Sequence, residues 1–220
     1  MEYNFNFDAI WRDFDLLVSG LALGLGLAVI SIAIGCVIGL VAAFGMISGH
    51  WVLRAASSTY VTAIRNTPIL VLILFTFFAL PQMGLRLGKI ESFVFTLSIY
   101  AGAYLTEVFR SGLVALPVGL REAGLAIGLT ELQAKRYLTI PVMWRNVLPA
   151  LSNNFISLFK DTSLAAAIAV PELTFYARKI NVETFRVIET WMVASLMYVA
   201  TCYLVAAMLR QFERKLAIPR

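Results

Sequence analysis

Four ionisable residues interrupt stretches of this sequence that are otherwise apolar: Arg65, Glu107, Lys160 and Asp161. A charge near the middle of a bilayer costs at least about 2.5 kcal/mol, so each of these must turn toward a bundle interior or a wet cavity rather than toward lipid. One arrangement is an internal ion pair, in which Asp161 or Glu107 neutralises Lys160 or Arg65 and pins two helices together. A second is a polar pocket for a zwitterion, with carboxylates meeting its ammonium and cations or helix N-terminal N–H groups meeting its carboxylate. A third is a carboxylate pair, Glu107 and Asp161, working as acid and base, but nothing in the sequence positions a nucleophile or a metal beside them. A fourth is a carrier whose carboxylates bind H⁺ or Na⁺, a design that usually needs more spans or an internal repeat.

The neighbours of these residues favour the pocket. Asp161-Thr162-Ser163 is a run of local backbone hydrogen-bonders that predicts a cap or a break in a helix, and a break there would expose N–H groups to a ligand. Asn153 stands seven residues before Lys160, so one helix face could carry both. Arg65-Asn66-Thr67-Pro68 sets donors just before a proline that disrupts the backbone ladder, and the alternative there is a proline kink with a snorkelling Arg65. The sequence holds no GxxxxGK[ST], HExxH or GxSxG pattern and no Cys/His cluster, so energy for any work must come from another chain. Cys36 and Cys202 lie in apolar runs and read as packing residues.

These groups need elements that hold them in lipid. Of the 220 residues 60% are apolar and 14% charged, with a mean hydropathy of +0.82, whereas a soluble domain carries about 25% charged residues. The net charge of +5 then reports membrane topology rather than a nucleic-acid partner. Crossing about 30 Å of hydrocarbon takes roughly 20 apolar residues, and five segments qualify: about 17–47, 60–80, 92–112, 152–170 and 190–209. The first has small residues four apart at Gly20/Gly24 and Gly35/Gly39, which let another helix approach closely. Glu2, Asp8, Asp13 and Asp15 against Arg12 are the reverse of a cleavable signal and suit an N-terminus outside the cell.

With that orientation Arg54, Arg65, Arg110, Arg121, Lys135, Arg136, Arg145, Arg210, Arg214, Lys215 and Arg220 fall inside. They outnumber Arg12, Arg86, Lys89, Arg178, Lys179 and Arg186 outside, as the positive-inside rule requires. The expected fold is all-α and polytopic, a single membrane domain over 1–220 with the C-terminus in the cytoplasm. His50 and Trp51 sit at the first inside turn as a surface residue and an interfacial anchor.

Between spans three and four, about 113–149, the chain is too polar to cross and too patterned for a linker. Leu120, Ala123, Leu125, Ala126 and Ile127 form a short apolar patch, Gly128 offers a helix stop, and Thr130 with Gln133 has capping-box spacing. Pro141 is expected to end the second helix of this hairpin. An amphipathic pair lying on the bilayer surface is the alternative to a docking element.

The spacing Glu122-Ala123-Gly124, Gly128, Ile140-Pro141 resembles the EAA motif, EAA-x3-G-x9-I-x-L-P, of bacterial ABC-importer permeases. Gly124 replaces the second Ala and Leu138-Thr139-Ile140 replaces Ile-x-Leu, keeping small and apolar character. YVTAIRNTPILVLILF, YLTEVFRSGL and PALSNNFISLFKDTSLAAAI are similar to the polar amino-acid uptake branch of that family, in the same order along nearly the whole chain. The resemblance implies a type I ABC importer permease fold with a cytoplasmic coupling-helix hairpin, in a bacterial inner membrane. It implies that Glu122, Ala123, Gly124, Gly128, Ile140 and Pro141 dock on an ATPase. It also implies that Arg65, Glu107, Asn153 and Asp161, with Thr162 and Ser163 at the break, meet substrate along the translocation path. The implied partners are an ABC ATPase dimer, a second identical or homologous permease subunit, a periplasmic amino-acid-binding protein and membrane lipid. ATP and Mg would bind the partner ATPase, with no cofactor in this chain.

Overall fold

A computed structural model describes residues 3–216; Glu2 and Arg220, counted in the charge balance, lie outside the described residues. Among the described residues regular structure is helical, with no strand. A short α1 (Asp8–Arg12) precedes α2 (Phe14–Met46), followed by α3 (Trp51–Arg65) and α4 (Ile69–Leu74). Next come α5 (Lys89–Val114), α6 (Val118–Ala126), α7 (Glu131–Ala134), α8 (Ile140–Asp161), α9 (Leu173–Thr184) and α10 (Val187–Leu216).

Three of these helices, α2, α5 and α10, are long and apolar enough to cross a membrane, or four spans if α3 and the segment Ile69–Met83 act as one bent span. At about 1.5 Å per residue the 33 residues of α2 reach about 50 Å, well beyond a hydrocarbon core. Pro68 breaks the second expected span: it takes the cap position of α4 with extended ψ, and its ring denies the helix an N–H. The fourth expected span, 152–170, is not among the long apolar helices. It is the second half of α8, which carries Lys160 and Asp161, followed by a tighter 3-10 helix over Thr162–Ile168.

The chain divides into two compact units, each gathered from three separate stretches. One takes the chain up to Ala33, Thr67–Ser98 and Phe155–Val205; the other takes Ile34–Asn66, Ile99–Asn154 and the chain from Ala206.

In the first unit Ile10 and Leu17 pack with Leu173, Ala177 and Ile180 of α9 and with Val193 and Ala194 of α10. Gly20 permits this contact, because a Cβ there would lie 2.7 Å from the Glu172 carbonyl carbon. The Glu172 carboxylate caps α9, accepting from the N–H groups of Thr174 (2.9 Å) and Phe175 (2.8 Å) and from the Tyr198 hydroxyl (2.8 Å). Near the N-terminus Tyr3 donates to Glu189, as does the Asn6 N–H at 2.9 Å, while Arg186 donates to the Asn4 carbonyl.

In the second unit α2 meets α5 at glycines: a Cβ on Gly39 would stand 3.0 Å from the Gly102 carbonyl oxygen. The Tyr60 hydroxyl donates to the Ile99 carbonyl at 2.6 Å, tying α3 to α5, and Phe109 meets Trp144 of α8 edge to face at 5.2 Å. Many large apolar side chains nevertheless stay exposed, among them Val37 and Val41 on α2 and Leu196, Val199, Leu204 and Met208 on α10. Ridges of that kind on spanning helices are faces for lipid or for other membrane chains.

The sequence-based expectation that Pro141 ends the hairpin's second helix is corrected by the structure. A π-helical turn over Lys135–Thr139 follows α7, and Pro141 stands at the second position of α8. The wider turn lies where the proline ring would otherwise strike the carbonyl four residues back, so the chain remains helical through it.

Candidate functional site

Glu107 lies on α5 with Tyr104 one turn before it and Arg110 one turn after, so the three share a face. The Arg110 guanidinium donates twice to one Glu107 oxygen, from Nε at 2.9 Å and Nη2 at 2.8 Å. The other oxygen faces Nη1 of Arg65, the last residue of α3, at 3.9 Å. That is beyond hydrogen-bond range, so Arg65 keeps its donors available. Its guanidinium lies over the Tyr104 ring, 5.2 Å from the centroid, where the π face holds it in place.

Arg65, Tyr104 and Glu107 line a cavity of about 370 Å³ with Ser58, Thr62 and Asn66, while Arg110 stands outside its lining. That is the small end of the range for ligand pockets, about 300–1,000 Å³. Because Arg110 pairs with Glu107 from outside the lining, the Arg65 guanidinium is left as the positive group facing the cavity, which suits a ligand carboxylate. The ion pair weighed from the sequence between Glu107 and Arg65 is therefore present but loose, because Arg110 has taken the tighter geometry. Arg110 and Tyr104 escaped the sequence reading; the i, i+3 spacing of Glu107 and Arg110 was the available signal.

The other sequence-predicted pocket residues do not line this cavity. Asn153 is exposed on α8. Asp161 and Ser163 are half-buried and belong to the other unit. Thr162 is fully buried, its hydroxyl donating to the Phe159 carbonyl at 2.6 Å, and it fills the space beside Gly24. The break predicted at Asp161 is a tightening into 3-10 helix, whose own hydrogen bonds occupy its N–H groups, so no second helix N-terminus opens there.

The docking segment is a capped hairpin. α6 ends as Gly128 turns left-handed at φ 90, with Gly128 N–H donating to Leu125 and Leu129 N–H to Gly124. Thr130 and Gln133 complete the capping box: the Thr130 hydroxyl accepts from Gln133 N–H at 3.3 Å, and the Gln133 side chain accepts from Thr130 N–H at 2.8 Å. Arg121 of α6 clasps Glu131 of α7, with Nε at 3.1 Å. This clasp holds the Glu131 carboxyl below its ordinary range, chiefly through the Arg121 hydrogen bond. Gly124 is buried, and a Cβ there would come within 2.7 Å of Leu138 Cδ1. The two departures from the motif thus touch, Leu138 occupying the room the absent methyl leaves. Glu122, Ala123, Ile127 and Leu132 are exposed, so the hairpin presents apolar side chains on an otherwise polar segment. Ile140 is half-buried and Pro141 exposed at the start of α8.

An all-helical membrane protein with a polar cavity beside its spans and a capped, partly apolar hairpin between them has the organisation of a transport permease. The chain belongs to the family described as binding-protein-dependent transport system inner membrane component, which matches residues 35–218. It is 37% identical over 216 residues to the glutamine transport system permease protein GlnP of Escherichia coli (strain K12), covering 97% of this chain and 99% of that protein. It is 34% identical to the L-cystine transport system permease protein TcyB of Bacillus subtilis (strain 168), over 91% of this chain and 86% of that one. Among solved structures it resembles an amino acid ABC transporter crystallised with histidines, with TM-score 0.88, 31% identity and coverage of 97% of this chain and 100% of that chain. The MetNI methionine ABC transporter, at TM-score 0.79 and 20% identity, shares the fold. These relatives are ABC permeases and lend no support to an ion-coupled carrier.

Proposed function

We propose that the chain, acting as one permease domain over 1–220, forms part of an ATP-driven importer of polar amino acids delivered by a periplasmic binding protein. The observation that carries this reading is the capped α6–α7 hairpin with exposed Glu122, Ala123, Ile127 and Leu132, a rigid surface suited to another protein. Two ATPase subunits dock there, and ATP and Mg bind to them rather than to this chain. A second permease copy or a homologue completes the path about a two-fold axis along the membrane normal. Closure of the ATPases draws the hairpins together, rocks the spans and opens the path outward; hydrolysis resets it inward. The N-terminus lies in the periplasm and the C-terminus in the cytoplasm, as the Lys and Arg distribution favours.

Amino-acid cargo is supported by relatives that carry glutamine, cystine and octopine, together with the cavity around Arg65 and Glu107. Arg65 receives the substrate carboxylate and Glu107 its ammonium, while Asn153 and Asp161 stand along the path. Glu122→Lys and Gly128→Val are expected to leave the chain in the membrane while abolishing ATPase co-purification and substrate-stimulated hydrolysis. If both survive both changes, the docking assignment is wrong.

A further inference from the structure

We propose that the groove where α2 and α5 end beside the hairpin binds the phosphate headgroup of an anionic phospholipid. The groove encloses about 610 Å³. Its floor is apolar, made by Phe44 and Ile47 at the end of α2 and Leu113 at the end of α5, and its rim carries Arg121, Lys135 and Arg136 with no carboxylate in the lining. Arg121 is taken by Glu131. Among the described residues neither Lys135 nor Arg136 has an ion pair, and both are exposed, with the Arg136 guanidinium 5.9 Å from the Tyr137 ring centroid. Lys135 feels the Glu131 carboxylate only at a distance, outside ion-pair range, and Arg136 has no carboxylate partner, so both cations keep donors for a groove ligand.

Position identifies the occupant. The floor belongs to the last turns of two helices long and apolar enough to cross a membrane, so the groove lies where hydrocarbon gives way to headgroups. A soluble anion would satisfy the cations and leave the half-buried Phe44 and the exposed Ile47 facing water. A phospholipid sets its phosphate on Lys135 and Arg136 and its upper acyl chain on the floor, satisfying both. The groove shares its Leu132 and Ile140 edge with the proposed docking surface, and its assignment to the cytoplasmic leaflet rests on the proposed orientation.

The test is native mass spectrometry of the full chain, with and without co-expressed ATPase subunits, from mixed micelles of phosphatidylglycerol and phosphatidylcholine. The wild-type chain is expected to retain phosphatidylglycerol preferentially. At about 1 kcal/mol per basic residue, Lys135→Gln with Arg136→Gln lowers that preference about thirtyfold. The charge-conserving pair Lys135→Arg with Arg136→Lys keeps the preference, as does Arg214→Gln with Lys215→Gln at the end of α10, which separates lost charge from lost folding. An unchanged preference in the first pair overturns the proposal. So does displacement of the lipid by inorganic phosphate as readily as by phosphatidylglycerol, which would mark a free-anion site. Loss of the ATPase with full lipid retention in the first pair also overturns it, by assigning the groove to the ATPase interface.

Discussion

At the scale of single residues, the unequal sharing of Glu107 sets what the cavity can do. Arg110 holds one carboxylate oxygen with two hydrogen bonds, while Arg65 stays at 3.9 Å over Tyr104. All three side chains are partly exposed, so solvent screening keeps each pair near the weak end of charge interactions, about 1 kcal/mol. Arg65→Ala is accordingly expected to raise the KM for amino-acid uptake by about fivefold in reconstituted vesicles, with membrane assembly unchanged. Arg110→Gln should act through a different route: Glu107, released from Arg110, closes on Arg65 and withdraws it from substrate. The Arg110 variant should then copy the Arg65 defect, and adding Glu107→Gln to it should restore part of the uptake. A double variant no better than Arg110→Gln alone would show that Arg110 acts directly rather than by holding Glu107.

At the scale of elements, the hairpin was the most legible part of the sequence. The Thr130/Gln133 box and the Gly128 stop depend on local spacing, and local spacing is what a sequence displays. The π-helical turn before Pro141 was not legible, because it depends on where the following helix begins rather than on residue type alone. The burial of Thr162 was not legible for a related reason: its hydroxyl packs beside Gly24, far away in the chain. The hairpin can be tested through its clasp. Glu131 has a carboxyl held below the ordinary glutamate value of about 4.3. Its contribution is complete above that value and is lost as pH falls through the lowered folded-state value. Hydrogen-exchange protection of hairpin amides should therefore stay flat from neutral pH down to about 4.3 and drop only below it, whereas Glu131→Gln should show weaker protection throughout. The Gly124–Leu138 contact gives a second test. Gly124→Ala pushes the tip of Leu138 aside but gains about 1 kcal/mol of helix propensity inside α6, so the single change should leave thermal stability near wild type, and adding Leu138→Val should raise it above the single variant.

At the scale of the whole molecule, the number of crossings decides which groups can meet substrate. Hydropathy reads five segments, and composition and length in the structure support three spans, or four with the bent pair. The difference lies in 152–170, where α8 carries Lys160 and Asp161 into the 3-10 helix. A segment with two charges can cross only where other helices shield them, so hydropathy and span length cannot rate it alone. If it crosses, the hairpin and α9 lie on opposite sides of the membrane; if it does not, they share a side. Single cysteines at Ile127 on the hairpin and at Glu183 on α9, in a chain with Cys36→Ser and Cys202→Ser, report this directly, since both positions are exposed. With an impermeant maleimide on intact cells, Glu183→Cys should label at once and Ile127→Cys only after lysis. The same label at Leu87, between the bent pair and α5, should match Glu183, because two further crossings separate those positions. Labelling of Glu183→Cys only after lysis would remove 152–170 from the membrane and with it the role of Asp161 along the path. The expected alternation would keep both and place the C-terminal end of α10 in the cytoplasm with the hairpin.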